Sequence, residues 1–453
     1  MDQVVVHTFG CKVNTYDAGL IQKNLSQNGF SPVLSSISKL DKTKNQIHVL
    51  NTCAVTAEAT KEAVRAIRKI KSQQPFSTIV VTGCAAQVDT GAFENLAGAD
   101  LVIANSHKGL LPDLLKKHFN GELTEKVFKS NIFKKEDLEA HGGEELSHTR
   151  SFLKIQDGCN SFCSFCIIPY ARGKSRSIPI HDIVEKIKSL EANIIQEVVL
   201  TGVHIGDYED TSYIGKTLGL DDLIENVLEK TSISRIRLSS LEPIEISDRL
   251  LKLFDNNRLC AHFHMSIQSA DTDVLSQMKR KYSETQVRDM LHKISNVKNV
   301  FVGMDVIAGF PTESESQFEN TYKVLSETPW TRLHVFPYSE RTGTKAATFD
   351  QIHFHVRKER AARLRELSLH RYQSEALKQV GQTLETLILN KASRKNQGLA
   401  RNYWPVRINA SEEVLNPYLG KEVPVLIKSV EFDQSEGFLV GEISGEISGG
   451  IAL

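Results

Sequence analysis

Asp157-Gly-Cys159-Asn-Ser-Phe-Cys163-Ser-Phe-Cys166-Ile-Ile-Pro-Tyr170 is the stretch that decides how the chain is read. Its three thiols stand four and three residues apart. Thiolates so spaced wrap one corner of a cubane and reach three of its irons. The fourth iron stays open to an outside ligand, unlike the iron in four-cysteine electron carriers. A structural zinc site is the competing reading, but zinc takes four ligands, often from Cys-x2-Cys pairs, and no fourth ligand lies near this run. The spacing therefore predicts a [4Fe-4S] cluster on Cys159, Cys163 and Cys166.

Working outward toward the N-terminus, three more cysteines fall in Phe9-Gly-Cys11-Lys-Val-Asn14, Asn51-Thr-Cys53-Ala-Val-Thr56 and Thr82-Gly-Cys84-Ala-Ala-Gln87. Each follows a short apolar run that reads as a strand, at 4–8, 47–51 and 78–82. In open α/β sheets ligands bind just beyond the carboxyl ends of the strands, so these cysteines are expected to converge. Three separate buried cysteines are the plainer alternative. Shared placement on three strand ends argues for a second three-thiolate cluster, again with an open iron. Cys260 enters a strand without partners and reads as a small buried hydrophobe.

The pattern around these sites is an α/β multidomain chain. Residues 1–120 alternate strands with helices at 17–27, 58–72 and 107–117, a small doubly wound α/β domain. Residues 121–150, with His141-Gly-Gly-Glu-Glu145, read as a linker. From 151 to 375, strands at 152–156, 197–201, 235–239, 262–267, 301–307 and 332–336 alternate with helices, a partial (β/α)6 barrel whose active site belongs at the carboxyl ends of its strands. A basic helix at 354–378 closes it. Residues 376–453 carry five short strands punctuated by turn residues, a small β-barrel comparable to an OB-fold.

Candidate cofactor contacts lie beyond the barrel strands: Phe165 beside the last cluster ligand, then Thr201 and Gly202, Glu242, Ser266, Gln268 and Ser269, and Asp305. Net charge is zero over 453 residues, yet residues 351–410 hold twelve Lys/Arg against four Asp/Glu, and 411–453 hold two against eight. Such asymmetry points to a nucleic-acid partner that the whole-chain sum hides. The expected RNA contacts are Arg172, Lys174 and Arg176 after the cysteine loop, and Lys391, Arg394, Lys395 and Arg401 on the small barrel. Tyr403 and Trp404 lie among the latter, where they suit stacking on unpaired bases. No apolar run reaches 18 residues, and Met1-Asp-Gln-Val-Val-Val-His7 has neither a basic start nor an apolar core. With seven cysteines, an odd number, these features make a chain in the reducing cytoplasm, with no membrane partner, the expectation.

The Cys-x3-Cys-x-Phe-Cys run resembles the fingerprint of radical S-adenosylmethionine enzymes. Joined to Cys11, Cys53 and Cys84, it makes the whole chain resemble the methylthiotransferase family, with a C-terminal TRAM domain. Leu200-Thr-Gly-Val-His-Ile-Gly206, Ser239-Ser-Leu-Glu-Pro243, Met278-Lys-Arg-Lys-Tyr282 and Phe336-Pro-Tyr-Ser-Glu-Arg-Thr-Gly-Thr344 are most similar to the branch acting on N6-threonylcarbamoyladenosine at position 37 of tRNA. Two departures stand out. The family usually has a Pro and a Gly within the segment Met265–Ala270, and Arg-Gly-x-x-Arg-Ser-Arg where this chain has Arg172-Gly-Lys-Ser-Arg-Ser-Ile178.

The resemblance implies two [4Fe-4S] clusters and two S-adenosylmethionines, one cleaved to a radical and one donating methyl to a sulfur held at the Cys11/Cys53/Cys84 cluster. It implies a tRNA anticodon stem-loop as substrate. An electron donor such as flavodoxin or ferredoxin, an unidentified sulfur donor and a monomeric state complete the expectation. N6-isopentenyladenosine at the same position, or a ribosomal-protein aspartate, remain alternative substrates.

Overall fold

A computed structural model of the chain describes residues 3–34, 46–135, 149–390, 397–432 and 437–444. Lys391, Arg394, Lys395 and His141 lie outside them. The first sheet contains β1 (Gln3–Thr8), β2 (Ser31–Leu34), β3 (Ile47–Thr52), β4 (Thr78–Gly83), β5 (Leu101–Ala104) and β6 (Val127–Phe128). All its pairings are parallel, in the order β2-β1-β3-β4-β5-β6. β1, β3 and β4 are near-continuous Val/Ile runs, as strands covered on both faces must be. β6 falls in the stretch read as linker. The helix expected at 107–117 is instead a 3-10 turn, Asn105–Leu110, leading into an α-helix at Leu111–Phe119 with Pro112 in its first turn.

The central domain runs β7 (Arg150–Lys154), a two-residue pairing of β8 (Gln156–Asp157) with β9 (Arg176–Ser177), then β10 (Glu197–Thr201), β11 (Arg235–Leu238), β12 (Ser240–Leu241), β13 (His262–Gln268), β14 (Phe301–Ala308) and β15 (Arg332–Pro337). The pairings β7-β10-β11 and β12-β13-β14-β15 are parallel. Since β12 continues β11 after one residue, the two sheets make an open barrel of six staves. Side chains alternate along each stave. Val198, Leu200, Ile236, Leu238, Phe263, Met265, Val302, Met304, Leu333 and Val335 point outward into one apolar core under the helices. Their neighbours point into the lumen, which is largely polar.

β16 (Thr383–Ile388), β17 (Gln397–Ala400), β18 (Pro405–Ile408), β19 (Glu422–Phe432) and β20 (Gly437–Ile443) form a closed barrel in the order β16-β17-β18-β20-β19. It plugs the end of the lumen where the staves begin. There Glu197 is fully buried and pairs with Arg235 at 2.8 Å and Arg237 at 3.0 Å. Arg235 also pairs with Glu422 and donates to the Leu399 carbonyl, and Arg237 donates to the Arg401 carbonyl, both at 3.0 Å.

Two expected RNA contacts are corrected here. Arg401 is an interdomain clasp: its guanidinium donates to the carbonyls of Ser234 and Asn257 and pairs with Glu422. Trp404 is 2% exposed in the small barrel's core. Tyr403 packs on His262, with ring centroids 4.1 Å apart, and under the Arg237 guanidinium. Trp404 offers no face to a base, because the five short strands need a large apolar filler.

Removing one partner from a buried ion group leaves the others uncompensated. Glu197→Ala is expected to cost roughly 3–5 kcal/mol in urea unfolding. It should also make the small barrel the first part cut in limited proteolysis.

Candidate functional site

Cys53 and Cys84 directly follow β3 and β4, and Cys11 comes just after β1, which ends at Thr8; the three strands are adjacent. Two glycines bring their loops together. Gly10 has φ +92°, and a Cβ there would lie 2.6 Å from Cβ and 2.7 Å from Sγ of Cys53. Gly83 has φ +98°, and a Cβ there would strike the Thr52 backbone. Only glycine combines that backbone angle with such close approach. Asn14 fastens the arrangement, its amide donating to the carbonyls of Phe9 at 2.7 Å and Thr52 at 3.1 Å. Burial, then the neighbouring Cys84, pushes the Cys53 thiol up to about 11. Thiols so placed ionise readily only beside a cation or a metal.

The second loop leaves β8 at Asp157. Cys159 and Cys166 each accept a backbone N–H at 3.4 Å, from Ser161 and Ile168. Burial opposes ionisation of Cys159, but His204 and the Ser161 amide outweigh it and its pKa falls. Burial, then Cys163, pushes Cys166 up to about 12. His204 Nδ1 lies 3.7 Å from the Cys159 sulfur and 3.1 Å from Asp207. Its Nε2 faces Glu245 and, at 3.4 Å, Glu242. Burial works against its charge, but bonds to Asp207, Cys159 and Glu245 raise its pKa. His204 thus stands beside the Cys159 sulfur, held between Asp207 and Glu245. Three thiols with two amide donors to their sulfurs fit an iron–sulfur cluster with one open iron.

The two loops are joined through buried charge. The helix Ile168–Arg172 packs on the helix Cys84–Val88. Arg172, 4% exposed, donates to Asp157 at 2.9 and 3.1 Å, to Asp17 at 3.0 Å and to Asn14 at 2.6 Å. Lys154 reaches Asp17 at 2.8 Å and Asp157 at 3.1 Å, and Lys108 reaches Asp17 at 2.9 Å. Asn105 donates to the Ala171 carbonyl at 2.9 Å and contacts the Cys84 sulfur at 3.7 Å. Arg172 was expected on RNA; buried among two carboxylates, it is the keystone between the cysteine sites. Arg176 is half-buried, donating to the carbonyls of Lys135 and Arg172. Lys174 remains exposed, as do Lys279 and Lys281.

The expected cofactor residues divide. Phe165 lies under the Arg280 guanidinium, 5.7 Å from it, and Arg280 pairs with Glu242. Both belong to the wall beside Cys163, whose thiol feels the two charges. Thr201 is buried opposite Lys154 in the strand register. Gly202 makes room for Gln156: an added Cβ would lie 2.9 Å from Gln156 Oε1, which accepts the His204 amide at 2.9 Å. Ser266 lies within, and Gln268 at the end of, a register shift in β13, where the Tyr282 hydroxyl donates to the Ser266 and Ile267 carbonyls. Ser269 is fully buried against the Thr321 hydroxyl at 3.1 Å, so its expected contact with a cofactor is corrected to a packing role. Asp305 is in the lumen, 2.9 Å from His264. The roles of Asp17, Lys154, His204 and Arg280 were not read from the sequence, because no spacing rule marks a charge whose burial depends on tertiary packing.

Over residues 153–325 the chain matches the radical SAM superfamily, and over 3–104 the uncharacterized protein family UPF0004. It is 37% identical over 406 residues to the threonylcarbamoyladenosine tRNA methylthiotransferase MtaB of Rickettsia prowazekii, covering 89% of this chain and 90% of that protein. The Aquifex aeolicus protein of the same name is 34% identical over 430 residues, 94% of this chain and 100% of its own. The solved structure of the radical S-adenosylmethionine methyltransferase TsrM from Kitasatospora setae superposes with a TM-score of 0.55 at 13% identity, over 74% of this chain and 75% of that one, a likeness of fold. No helix among the described residues is long and apolar enough to cross a membrane.

Burial alone would raise the Asp17 and Asp157 carboxyls; Lys108, Lys154 and Arg172 outweigh it at Asp17, and Arg172 and Lys154 at Asp157, so both lie below the usual range. Groups with depressed folded pKa values lend stability above their unfolded pKa, about 4, and lose it as pH falls through the folded values. Arg172→Met is therefore expected to cost roughly 3–5 kcal/mol at pH 7, read by urea unfolding. The deficit relative to wild type should shrink as both carboxyls protonate in acid.

Proposed function

The chain belongs to the threonylcarbamoyladenosine tRNA methylthiotransferases, and we propose from that membership that it places a methylthio group on C2 of N6-threonylcarbamoyladenosine at position 37 of tRNA. The observation that carries the reading is the pair of three-cysteine loops facing one another across the Arg172 network. When bound, an iron–sulfur cluster on Cys159, Cys163 and Cys166 supplies one-electron cleavage of S-adenosylmethionine and so removal of an unactivated hydrogen, while a second on Cys11, Cys53 and Cys84 supplies sulfur for methylation by another S-adenosylmethionine.

The protein's part is orientation and exclusion of water. The amides of Ser161 and Ile168 and the imidazole of His204 direct positive charge at the sulfurs of the first site. Glu242, Arg280 and Phe165 form the wall beside it. Asp305 and Gln268 lie farther along the lumen side, and neither is asked to act as an acid or base. Arg172 fixes the separation between the loops, so that a base entering the gap meets both. The base is unpaired in an anticodon loop and reaching it costs little. Reduction requires an outside donor such as flavodoxin or ferredoxin, and a monomer contains every group named.

Mass spectrometry of tRNA nucleosides with and without the gene tests the reading. Loss of 2-methylthio-N6-threonylcarbamoyladenosine, with its precursor accumulating, is expected. Loss of the isopentenyl counterpart instead would move the substrate, and no change in either would move the enzyme away from tRNA. Reconstituted Cys84→Ala should keep about half the wild-type iron, because each site loads on its own thiolates. Lys174, Lys279 and Lys281 are the exposed cations around the cysteine loop. Replacing each by Ala should reduce the slope of log affinity against log salt by roughly one.

A further inference from the structure

The open edge of the barrel carries a groove that the chemistry above does not use. β15 pairs with β14 on one side, and among the described residues no stave covers its other side. A cavity of about 420 Å³ runs along that side, between β15, the helix Phe354–Leu377 and Gly437 of the small barrel. The Leu333 N–H donates to the Ser368 hydroxyl at 2.9 Å, and that hydroxyl donates to the Leu333 carbonyl at 3.3 Å. Arg365 donates to the Val335 carbonyl at 3.0 Å. With these edge groups already answered by side chains of the helix, the groove is poorly suited to an added peptide strand.

Its walls suit a different occupant. Arg332, His334 and Phe336 take alternate positions on β15, on the face opposite Leu333 and Val335, which lie in the apolar core. Phe336 stands near the carboxyl end of its stave, is 48% exposed and packs on no other ring among the described residues. Leu369 of the helix is exposed beside the same groove. The Arg332 guanidinium lies over the Tyr372 ring, 5.0 Å from its centroid, while Arg365 is exposed. Among the described residues no carboxylate lines the cavity. The groove adjoins the lumen through His334, which stacks on His264 with ring centroids 5.2 Å apart. A single exposed apolar side chain is ordinary on a protein surface. An uncovered ring beside two guanidiniums in a concave space is the combination that holds an unpaired base and its phosphate.

We propose that this groove receives one unpaired nucleotide of the anticodon loop other than that at position 37, with Phe336 as the ring on which its base stacks and Arg365 as the cation for its phosphate. The inference rests on the substrate reading above. The cavity falls within the span of small-molecule sites, roughly 300–1,000 Å³, room for one nucleotide and not for a duplex. Holding a neighbour there draws the loop open and leaves base 37 free to enter the lumen, which makes Phe336 a positioning residue for the reaction. Stacking needs only a π face, so the groove accepts any base.

The test measures binding of anticodon stem-loops carrying N6-threonylcarbamoyladenosine by the cluster-reconstituted full chain, with each other unpaired loop nucleotide made abasic in turn. Phe336→Ala should weaken binding of the intact stem-loop about tenfold, within the worth of one base stacked on an aromatic ring. One abasic position should cost wild type a similar factor and cost Phe336→Ala nothing further, the mark of direct partners in a double-mutant cycle. Phe336→Trp should bind as wild type does. Arg365→Gln should lower the slope of log affinity against log salt by roughly one, and Phe336→Ala should leave that slope unchanged. Iron content reports whether each variant loads its cysteine sites. Equal affinity of wild type and Phe336→Ala, or losses that add at every abasic position, would overturn the groove and leave the substrate reading standing. A wild type that binds no such stem-loop would sink the groove as an RNA site, and the nucleoside measurement decides the substrate separately.

Discussion

One guanidinium decides where both halves of the site stand. Arg172 leaves the end of the radical loop, enters the first domain and is held there by Asp17, Asp157 and Asn14. Each partner has a second task. Asp157 begins the cysteine loop and binds the Gly158 amide; Asn14 ties the Cys11 loop to the Cys53 strand; Asp17 anchors Lys154 on the first barrel stave. Neither cysteine loop can shift without breaking a buried ion contact in the other domain. The attraction in such a network is largely offset by desolvation, so its value here is geometric. An apolar contact of the same size would tolerate sliding, whereas paired, directional bonds do not.

The opposite end of the barrel is fastened in the same manner. Glu197, Arg235 and Arg237 face the lumen at the start of the staves, where a (β/α) barrel usually has branched apolar side chains in layers. Their remaining donors go to carbonyls of the small β-barrel and to Glu422. Each terminal domain thus caps one end of the lumen by satisfying charges placed on its inner face. The central domain presents those charges uncompensated when alone, which makes its assembly with both neighbours part of its own folding.

What was legible in the sequence follows from where the signal is local. The alternation of strands with helices from 151 to 375 and the strand-then-cysteine pattern at Cys11, Cys53 and Cys84 depend only on chain neighbours, and the architecture they imply is the one found. Burial of charge is not local. Arg172 and Arg401 look like their exposed counterparts Lys174 and Arg407, and only docking of another domain separates them. The same holds for Trp404, whose aromatic neighbourhood suggested stacking but whose place is set by the hole in a five-stranded barrel. Short edge strands such as β2 and β6 escaped because two to four residues carry no periodicity.

The lumen itself follows a different rule from the rest of the core. Outward-facing positions on β13 to β15 are Phe, Met, Val and Leu packed at full burial, so these strands are anchored entirely from one side. The inward positions hold a different set: His262 and Phe301 pack on Tyr403 of the small barrel, while His264, Gly303, Asp305 and His334 form no part of that apolar core. Polar side chains left partly open in a concave space, with a glycine where bulk would fill it, are what a cavity needs if its occupant arrives from outside. The Arg172 network, which ties the loops of the first domain to the cysteine loop after β8, therefore also holds that domain over the end of the barrel where the loop lies.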